Sequence, residues 1–152
     1  DKVKDMETLK KVLDDGLAEY NETHAVMDLV LFEDAILHVC RVSRIISQPA
    51  GHAMLVGVGG SGKQSLSRLS AHMCGYTVSH ITITSAYSIT DLKGDLQTMY
   101  FKAGVKQDGV LFLFTDNQIT DAGMTTLAAA IDAGRLPKLK QHQYIIFSTL
   151  MI

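Results

Sequence analysis

The chain has 152 residues, of which 47% are hydrophobic, and its formal net charge is −2. This length allows one domain with a substantial core, and the hydrophobic fraction excludes a largely disordered chain. Lysines and arginines are scattered, so neither a nucleic-acid surface nor a membrane surface is predicted. No apolar run reaches the ~18 residues that span a bilayer. The two cysteines, Cys40 and Cys74, form no CxxC pattern, and we expect buried free thiols of a reducing compartment.

Two amphipathic helices are predicted at the start of the chain. Apolar residues recur at helical spacing over about residues 5–20 and again over about 32–47, where Pro49-Ala-Gly51 ends the pattern. The second helix is expected to bury one face, made of Phe32, Ile36, Val39, Val42 and Ile46. The apolar segment just before it contains Leu29 and Val30. These two residues are candidates for an adenine pocket, and an ordinary core position explains them equally well.

Strands then alternate with helices. The continuous apolar run Ala53–Val58 is typical of a parallel strand that is covered on both faces. Further strands are predicted over about 78–84, 109–115 and 144–149. Helices are predicted from the glycine-rich loop to near Gly75, over about 89–105, and around Met124, Leu127 and Ile131 up to Gly134. The alternation predicts an α/β fold, a central parallel sheet flanked by helices with right-handed crossovers.

The segment Gly57-Val-Gly-Gly-Ser-Gly-Lys-Gln-Ser65 has the G-x-x-x-x-G-K spacing of a phosphate-binding P-loop. It follows a predicted buried strand and begins a predicted helix, which is the context that such a loop requires. Its backbone N–H groups and the helix N-terminus favour an anion, and the lysine reaches the β- and γ-phosphates of a nucleotide. The predicted nucleotide-binding residues of this loop are Gly57, Gly59, Gly60, Ser61, Gly62, Lys63, Gln64 and Ser65.

Gln64 stands where a working P-loop ATPase has Ser or Thr, whose hydroxyl binds Mg²⁺. Ser65 does carry a hydroxyl, but it points about 100° further around the helix. We therefore expect ATP or ADP to bind with weakened Mg²⁺ coordination.

A second candidate segment is Val110-Leu-Phe-Leu-Phe-Thr-Asp-Asn117, which is similar to a Walker B strand. Asp116 is the candidate metal ligand. Asn117 stands where a glutamate normally polarises the attacking water, and an amide cannot take a proton. Because a positioned general base contributes about 10²–10⁴ in rate, hydrolysis is expected to be slow or absent. Ser148, on the last predicted strand, is either a polar sensor near the γ-phosphate or a half-buried strand serine.

Four segments together resemble dynein heavy chains, and most closely the fourth AAA+ module of the motor ring in its axonemal form. They are residues 29–41, the loop Gly57-Val-Gly-Gly-Ser-Gly-Lys-Gln-Ser-Leu66, Ile89-Thr-Asp-Leu-Lys-Gly-Asp-Leu96 and Phe112-Leu-Phe-Thr-Asp116. The resemblance covers about residues 20–136. Gln64 is typical of this axonemal module, whereas Asn117 departs from the family's Asp-Glu pair.

The resemblance implies a single AAA+ large αβ subdomain over residues 1–152. Residues 1–50 would supply the N-terminal helices and the adenine-side segment, and 51–152 the P-loop core. The chain would be a fragment of a much larger one, with a connection near 138–143 shorter than the family pattern. Implied partners are the neighbouring AAA+ modules, other dynein chains and, through the parent minus-end-directed motor, microtubules. The implied location is the cytoplasm and cytoskeleton, in the axoneme of a cilium or flagellum.

Three functional hypotheses remain. The first is a regulatory module that binds ATP or ADP within an ATP-hydrolysing motor. The second is an independently active P-loop ATPase or kinase, although a kinase would need a lid and a hydroxyl after Lys63. The third is a structural module without nucleotide, against which the retained lysine and glycines argue.

Overall fold

The computed structural model describes residues 5–48, 51–82, 84, 86–115 and 118, and the backbone of residues 143–150. These residues form four helices and four strands in the order α1 Met6–Thr23, α2 Glu33–Ile46, β1 Ala53–Gly57, α3 Lys63–Met73, β2 Thr77–Ser79, α4 Ile89–Gly104, β3 Val110–Thr115 and β4 Gln143–Leu150.

The strands form one sheet in the order β1-β4-β3-β2, and all three pairings are parallel. This confirms the predicted α/β class. Strand β1 lies at one edge and the next strand in sequence, β2, lies at the other, whereas β3 and β4 fill the positions between them. The connection from β1 crosses to the far side of the sheet, and the next two connections return toward β1. The strand order therefore reverses between β1 and β4, and in open α/β sheets ligands bind at such a switch point.

Each face of the sheet is covered by different helices. Helices α2 and α3 cover one face, where Ile46 and Ala71 pack with Leu111 and Leu113. Helix α4 covers β3 on the other face, where Met99 packs with the cluster that contains two phenylalanines of β3. Helix α1 packs outside the α2–α3 layer. None of the helices in the described part of the chain is long and apolar enough to cross a bilayer.

Three burial predictions are wrong. Strand β1 is not covered on both faces, since Met54 is 67% and Val56 44% exposed. The reason is that α4, on the face opposite α2 and α3, lies over β3 rather than β1 in the part of the chain that the structure describes. Phe32 caps the N-terminus of α2 and is 60% exposed, so it is not part of the buried face. Cys40 and Cys74 are free, as expected, but only half-buried.

Element ends also differ from the predictions in two places. Helix α1 continues to Thr23, beyond the predicted end near residue 20. Strand β2 stops at Ser79 rather than near 84, and its last ladder pair with β3 is Ser79↔Phe112. The helix predicted around Met124–Gly134 and the connection at 138–143 lie outside the described residues.

Candidate phosphate-binding site

The loop between β1 and α3 depends on glycine at two of its positions. Gly60 and Gly62 have φ angles of +74° and +73°, the left-handed conformation that costs other residues energy. At Gly57, by contrast, an added Cβ would make only ordinary contacts, 3.4 Å from Ser61 Oγ and 3.8 Å from Lys63 Cδ. The left-handed conformation of Gly60 and Gly62 is therefore what the turn requires of glycine.

The ammonium group of Lys63 is fixed at this loop. Its Nζ donates to the carbonyl oxygens of Gly57 at 2.9 Å and Val58 at 2.8 Å, and to Ser61 Oγ at 3.1 Å. A lysine has three N–H donors, so these contacts use its full capacity. A positive charge is thereby held directly after the carboxyl end of β1.

The N-terminus of α3 adds to the same positive potential. Gly62 is the N-cap residue and makes no side-chain capping bond, whereas Asp5 caps α1 and Ser88 caps α4. The first turn of a helix has N–H groups without an intrahelical acceptor, and its dipole is positive at that end. The amides, the dipole and Lys63 thus converge on one loop, an arrangement suited to phosphate oxygens.

Two buried serines of α3 donate hydrogen bonds to backbone carbonyls of the preceding helical turn. Ser67 Oγ donates to the Lys63 carbonyl at 2.8 Å. Ser70 Oγ donates to the Leu66 carbonyl at 2.7 Å and lies 3.4 Å from the Val39 carbonyl of α2. Both side chains are fully buried. This pair was not predicted from the sequence, although small hydroxyl residues within a helical apolar pattern indicate close helix packing.

The two residues after Lys63 have different environments. The Gln64 side chain is exposed and Ser65 is half-buried. No hydroxyl therefore occupies the position that binds Mg²⁺ in working ATPases. Among residues that the structure describes, no group of three or more His, Cys, Asp or Glu could hold a metal ion.

Of the two adenine-side candidates, only Leu29 is brought to the loop. Its Cδ1 lies 3.7 Å from the position that a Cβ on Gly62 would take. Leu29 is half-buried against the cluster that α1, α2 and α3 share, so it contacts both the core and the loop. Val30 is 74% exposed.

The remaining candidates either follow β3 in the sequence or lie on β4. Asp116 and Asn117 lie outside the described residues and follow Thr115, the last residue of β3. Ser148 is described by its backbone, which pairs with Leu55 of β1 and Thr115 of β3. Because β4 lies between β1 and β3, the carboxyl ends of those two strands are separated by two interstrand spacings, about 10 Å.

One residue near this edge was missed altogether. Gln118 is only 8% exposed. Its Oε1 accepts from the Thr115 backbone N–H at 2.8 Å, and its Nε2 donates to the Ile81 carbonyl. The sequence offered one signal for Gln118, its position two residues after the aspartate that follows a predicted strand. Hydrophobic periodicity does not predict a function for such a polar residue.

Comparisons with known proteins agree with this geometry. The family model described as "P-loop containing dynein motor region D4" matches residues 27–146. The chain is 56% identical over 140 residues to the dynein alpha chain of the flagellar outer arm of Chlamydomonas reinhardtii. It is 51% identical over 138 residues to human dynein axonemal heavy chain 17, and 51% identical over 132 residues to the ciliary dynein beta chain of Tripneustes gratilla.

These alignments cover 91%, 90% and 86% of the chain, respectively. The chain spans about 3% of the length of each relative. The strand order, the P-loop geometry and the matched region all agree with the large subdomain of an AAA+ module. The chain therefore belongs to the P-loop-containing dynein motor region D4 family, and it represents the fourth AAA+ module of an axonemal-type dynein heavy chain.

Proposed function

We propose that this domain binds ATP or ADP as a regulatory module of the dynein motor, with little or no hydrolysis of its own. The observation that carries the proposal is the Lys63 ammonium, held at the left-handed glycine loop by two carbonyl oxygens and the Ser61 hydroxyl. Phosphate oxygens would compete for the same three donors. Because a nucleotide carries several such oxygens, the loop suits the β- and γ-phosphates better than a single carboxylate.

The adenine side of the nucleotide is proposed to face the segment before α2. Leu29 lies beside Gly62 and offers an apolar surface close to the loop. Val30 is exposed and would gain apolar contact from a bound base. The nucleotide would then lie between this segment and α3.

Metal binding is proposed to be weak. Mg²⁺ prefers hard oxygen ligands in octahedral geometry, and the residues available are the Gln64 amide oxygen and the Asp116 carboxylate. When bound, Mg²⁺ would neutralise charge on the β- and γ-phosphates. The exposed Gln64 side chain must be ordered to reach it, which costs conformational entropy that a short Ser or Thr does not pay.

Slow hydrolysis follows from Asn117, which cannot act as a base. An independently active ATPase would need both an acid at this position and a hydroxyl after Lys63. A purely structural module would need neither the fixed Lys63 nor the left-handed glycines. The proposed role in the whole protein is that nucleotide binding stabilises one arrangement of neighbouring AAA+ modules, in a minus-end-directed microtubule motor of the axoneme together with other dynein chains.

Lys63→Ala tests the phosphate site. Removing the ammonium should weaken ATP and ADP binding by about 1.5–3 kcal/mol, or roughly 10- to 150-fold in Kd. Isothermal titration of the full chain measures this. The matched control is Lys93→Ala, which removes an exposed lysine of α4 and should leave Kd unchanged. Equal affinity of the Lys63→Ala and wild-type chains would contradict phosphate binding at this loop.

A further inference from the structure

The side-chain amide of Asn21, near the end of α1, holds the extended segment that follows this helix. Its Oδ1 accepts from the Met27 backbone N–H at 2.8 Å, and its Nδ2 donates to the Met27 carbonyl at 3.3 Å. A backbone N–H can only donate and a backbone carbonyl can only accept, so these partners fix which way the amide points. Among the residues that the structure describes, these are the only hydrogen bonds to the backbone of residues 25–29. The Asn21 amide therefore takes the place that a neighbouring strand would have.

The part of α1 that carries Asn21 is itself anchored to α3. An added Cβ on Gly16 would collide with the Met73 side chain, so the two helices approach closely there. Tyr20 is only 7% exposed, and its ring lies edge-on to the ring of His72, with centroids 5.5 Å apart. Asn21 directly follows Tyr20, so the amide extends from a fixed helix.

After Met27, the side chains of the segment alternate between the core and the surface. Leu29 is half-buried and Leu31 is 4% exposed, and both pack with the cluster that α1, α2 and α3 share. Val30, between them, is exposed. Leu29 also lies beside Gly62, the N-cap residue of α3. The segment that Asn21 holds therefore runs directly past the phosphate loop.

The two sides of the proposed nucleotide site are held by separate contacts. Lys63 is fixed by acceptors of its own loop, none of which belongs to α1 or to the segment after it. Leu29 and Val30, the residues proposed to contact the adenine base, follow Met27 by two and three positions. Ordering a backbone during binding costs conformational entropy, so a surface that is already fixed binds more tightly. Loss of the Asn21 amide should therefore weaken contacts with the base and spare contacts with the phosphates.

We propose that Asn21 is a positioning residue for the base of the bound nucleotide. It touches neither the base nor the phosphates; it fixes the backbone at Met27 so that Leu29 and Val30 present an ordered apolar surface. The inference rests on the proposed nucleotide-binding function. It assigns the affinity for the base, as distinct from the phosphates, to a contact between α1 and the segment that follows it.

The test compares dissociation constants of the full chain for ADP and for pyrophosphate, measured by isothermal titration. Both ligands carry a diphosphate and only ADP carries a nucleoside, so the ratio of the pyrophosphate constant to the ADP constant measures what the nucleoside contributes. Asn21→Ala removes both hydrogen bonds, whereas Asn21→Asp keeps an acceptor for the Met27 N–H but has no donor for its carbonyl. Gln97→Ala, which removes an exposed amide of α4, is the matched control. Thermal melting monitors the folding of each variant.

In the wild-type chain and in Gln97→Ala, ADP should bind more tightly than pyrophosphate. In Asn21→Ala, the ADP constant should rise roughly three- to tenfold and the pyrophosphate constant should stay within about twofold, so the ratio falls. Asn21→Asp should lower the ratio less. Leu29→Ala should also lower it, and combining this change with Asn21→Ala should add little. Lys63→Ala should instead raise both constants and leave the ratio near the wild-type value.

Three results would overturn the inference and leave the proposed function intact. A wild-type ratio in both Asn21 variants, even with a lower melting temperature, would reduce the residue to a structural role. Equal weakening of ADP and pyrophosphate would mean that the amide supports the fold in general. A wild-type chain that binds ADP no more tightly than pyrophosphate would show that the base contributes nothing. Should Asn21→Ala fail to fold, Asn21→Asp alone decides between these results.

A wild-type chain that binds neither ADP nor pyrophosphate would refute the proposed function together with the inference.

Discussion

At Gly60 in the phosphate loop, a substitution tests the effect of backbone conformation without any new side-chain contact. Its φ angle is +74°, and an added Cβ would meet no atom within 4 Å. Gly60→Ala should therefore cost about 1–2 kcal/mol through the backbone alone and weaken nucleotide binding. Gly94→Ala is the matched control, because Gly94 also has open space but lies within α4. There, alanine should raise the free energy of unfolding by roughly 0.5–1 kcal/mol.

Chemical denaturation of both variants measures these opposite changes. If Gly60→Ala were as stable as wild type, with unchanged nucleotide affinity, the left-handed conformation would have no importance for the loop.

Gln64 and Asn117 are the two residues proposed to prevent turnover. Replacing them together, Gln64→Thr with Asn117→Glu, supplies a hydroxyl for Mg²⁺ and a base for water. A restored base is worth about 10²–10⁴ in rate, so hydrolysis should become measurable, provided that neighbouring modules supply their own groups. The assay is phosphate release by a longer heavy-chain segment that includes the neighbouring modules, measured against the same segment carrying Lys63→Ala.

The single Gln64→Thr change is the control for that experiment and should give little gain without the base. No gain from the double variant would place the block to hydrolysis elsewhere in the ring.

At the scale of elements, α4 depends on a capping box at its N-terminus. Ser88 Oγ accepts from the Asp91 N–H, and the Asp91 carboxylate accepts from the Ser88 N–H at 2.8 Å. Ser88→Ala should lower the free energy of unfolding by about 1 kcal/mol, whereas Ser88→Gly should cost only a few tenths. Denaturant unfolding distinguishes them, and equal stability of all three chains would mean that packing alone maintains α4.

The same cap predicts a dependence on pH. Hydrogen bonds from the Ser88 side chain and backbone lower the pKa of Asp91 below its model-compound value of 3.8. A carboxyl group with a lowered folded-state pKa contributes stability above its unfolded pKa and loses it as the pH falls through the folded pKa. Unfolding followed below about pH 4 should therefore show an acid-dependent loss that is smaller in Asp91→Asn.

Elements with a strong periodic pattern were predictable from the sequence, and elements that depend on distant partners were not. The end of α3 illustrates the first case, because Gly75 adopts φ +71° and completes a Schellman motif with Tyr76 N–H on the Ala71 carbonyl at 2.8 Å. Strand β2 illustrates the second, since β-branched residues predicted a strand to near 84, whereas its pairing with β3 ends at Ser79. Tertiary contact overrode local propensity there.

The candidate site likewise has a part that was predictable from local sequence and a part that was not. The glycine spacing and Lys63 predicted a local loop, which the structure confirms as a loop with two left-handed glycines and a fixed ammonium. Local spacing does not reveal that Ser70 reaches Val39 of α2, or that Leu29 lies against Gly62, because these contacts join residues 31 and 33 positions apart. The pairing of β1 with β4 rather than with β2 was hidden for the same reason, because strand order is a property of the whole sheet.

At the scale of the whole molecule, the P-loop occupies the switch point of the sheet, where β1 meets β4. A nucleotide there would contact β1, α3 and the segment before α2, so its binding energy is spread over three elements. A ligand shifts a conformational equilibrium only by its difference in affinity for the two states. We therefore expect the regulatory effect to depend on how differently ATP and ADP engage these elements, and to vanish in Lys63→Ala.

The central claim is that this loop binds a nucleotide without hydrolysing it. The most direct measurement incubates the full chain with Mg²⁺·ATP and determines, in the same sample, the nucleotide bound per chain and the phosphate released. We predict nearly one bound ATP or ADP per chain and a turnover below about 0.01 s⁻¹. This turnover is at least two orders of magnitude below the lower end of the usual kcat range of enzymes, about 1 s⁻¹. Turnover near 1 s⁻¹ that requires Mg²⁺ and Lys63 would contradict it, as would the absence of bound nucleotide at high micromolar ATP or ADP.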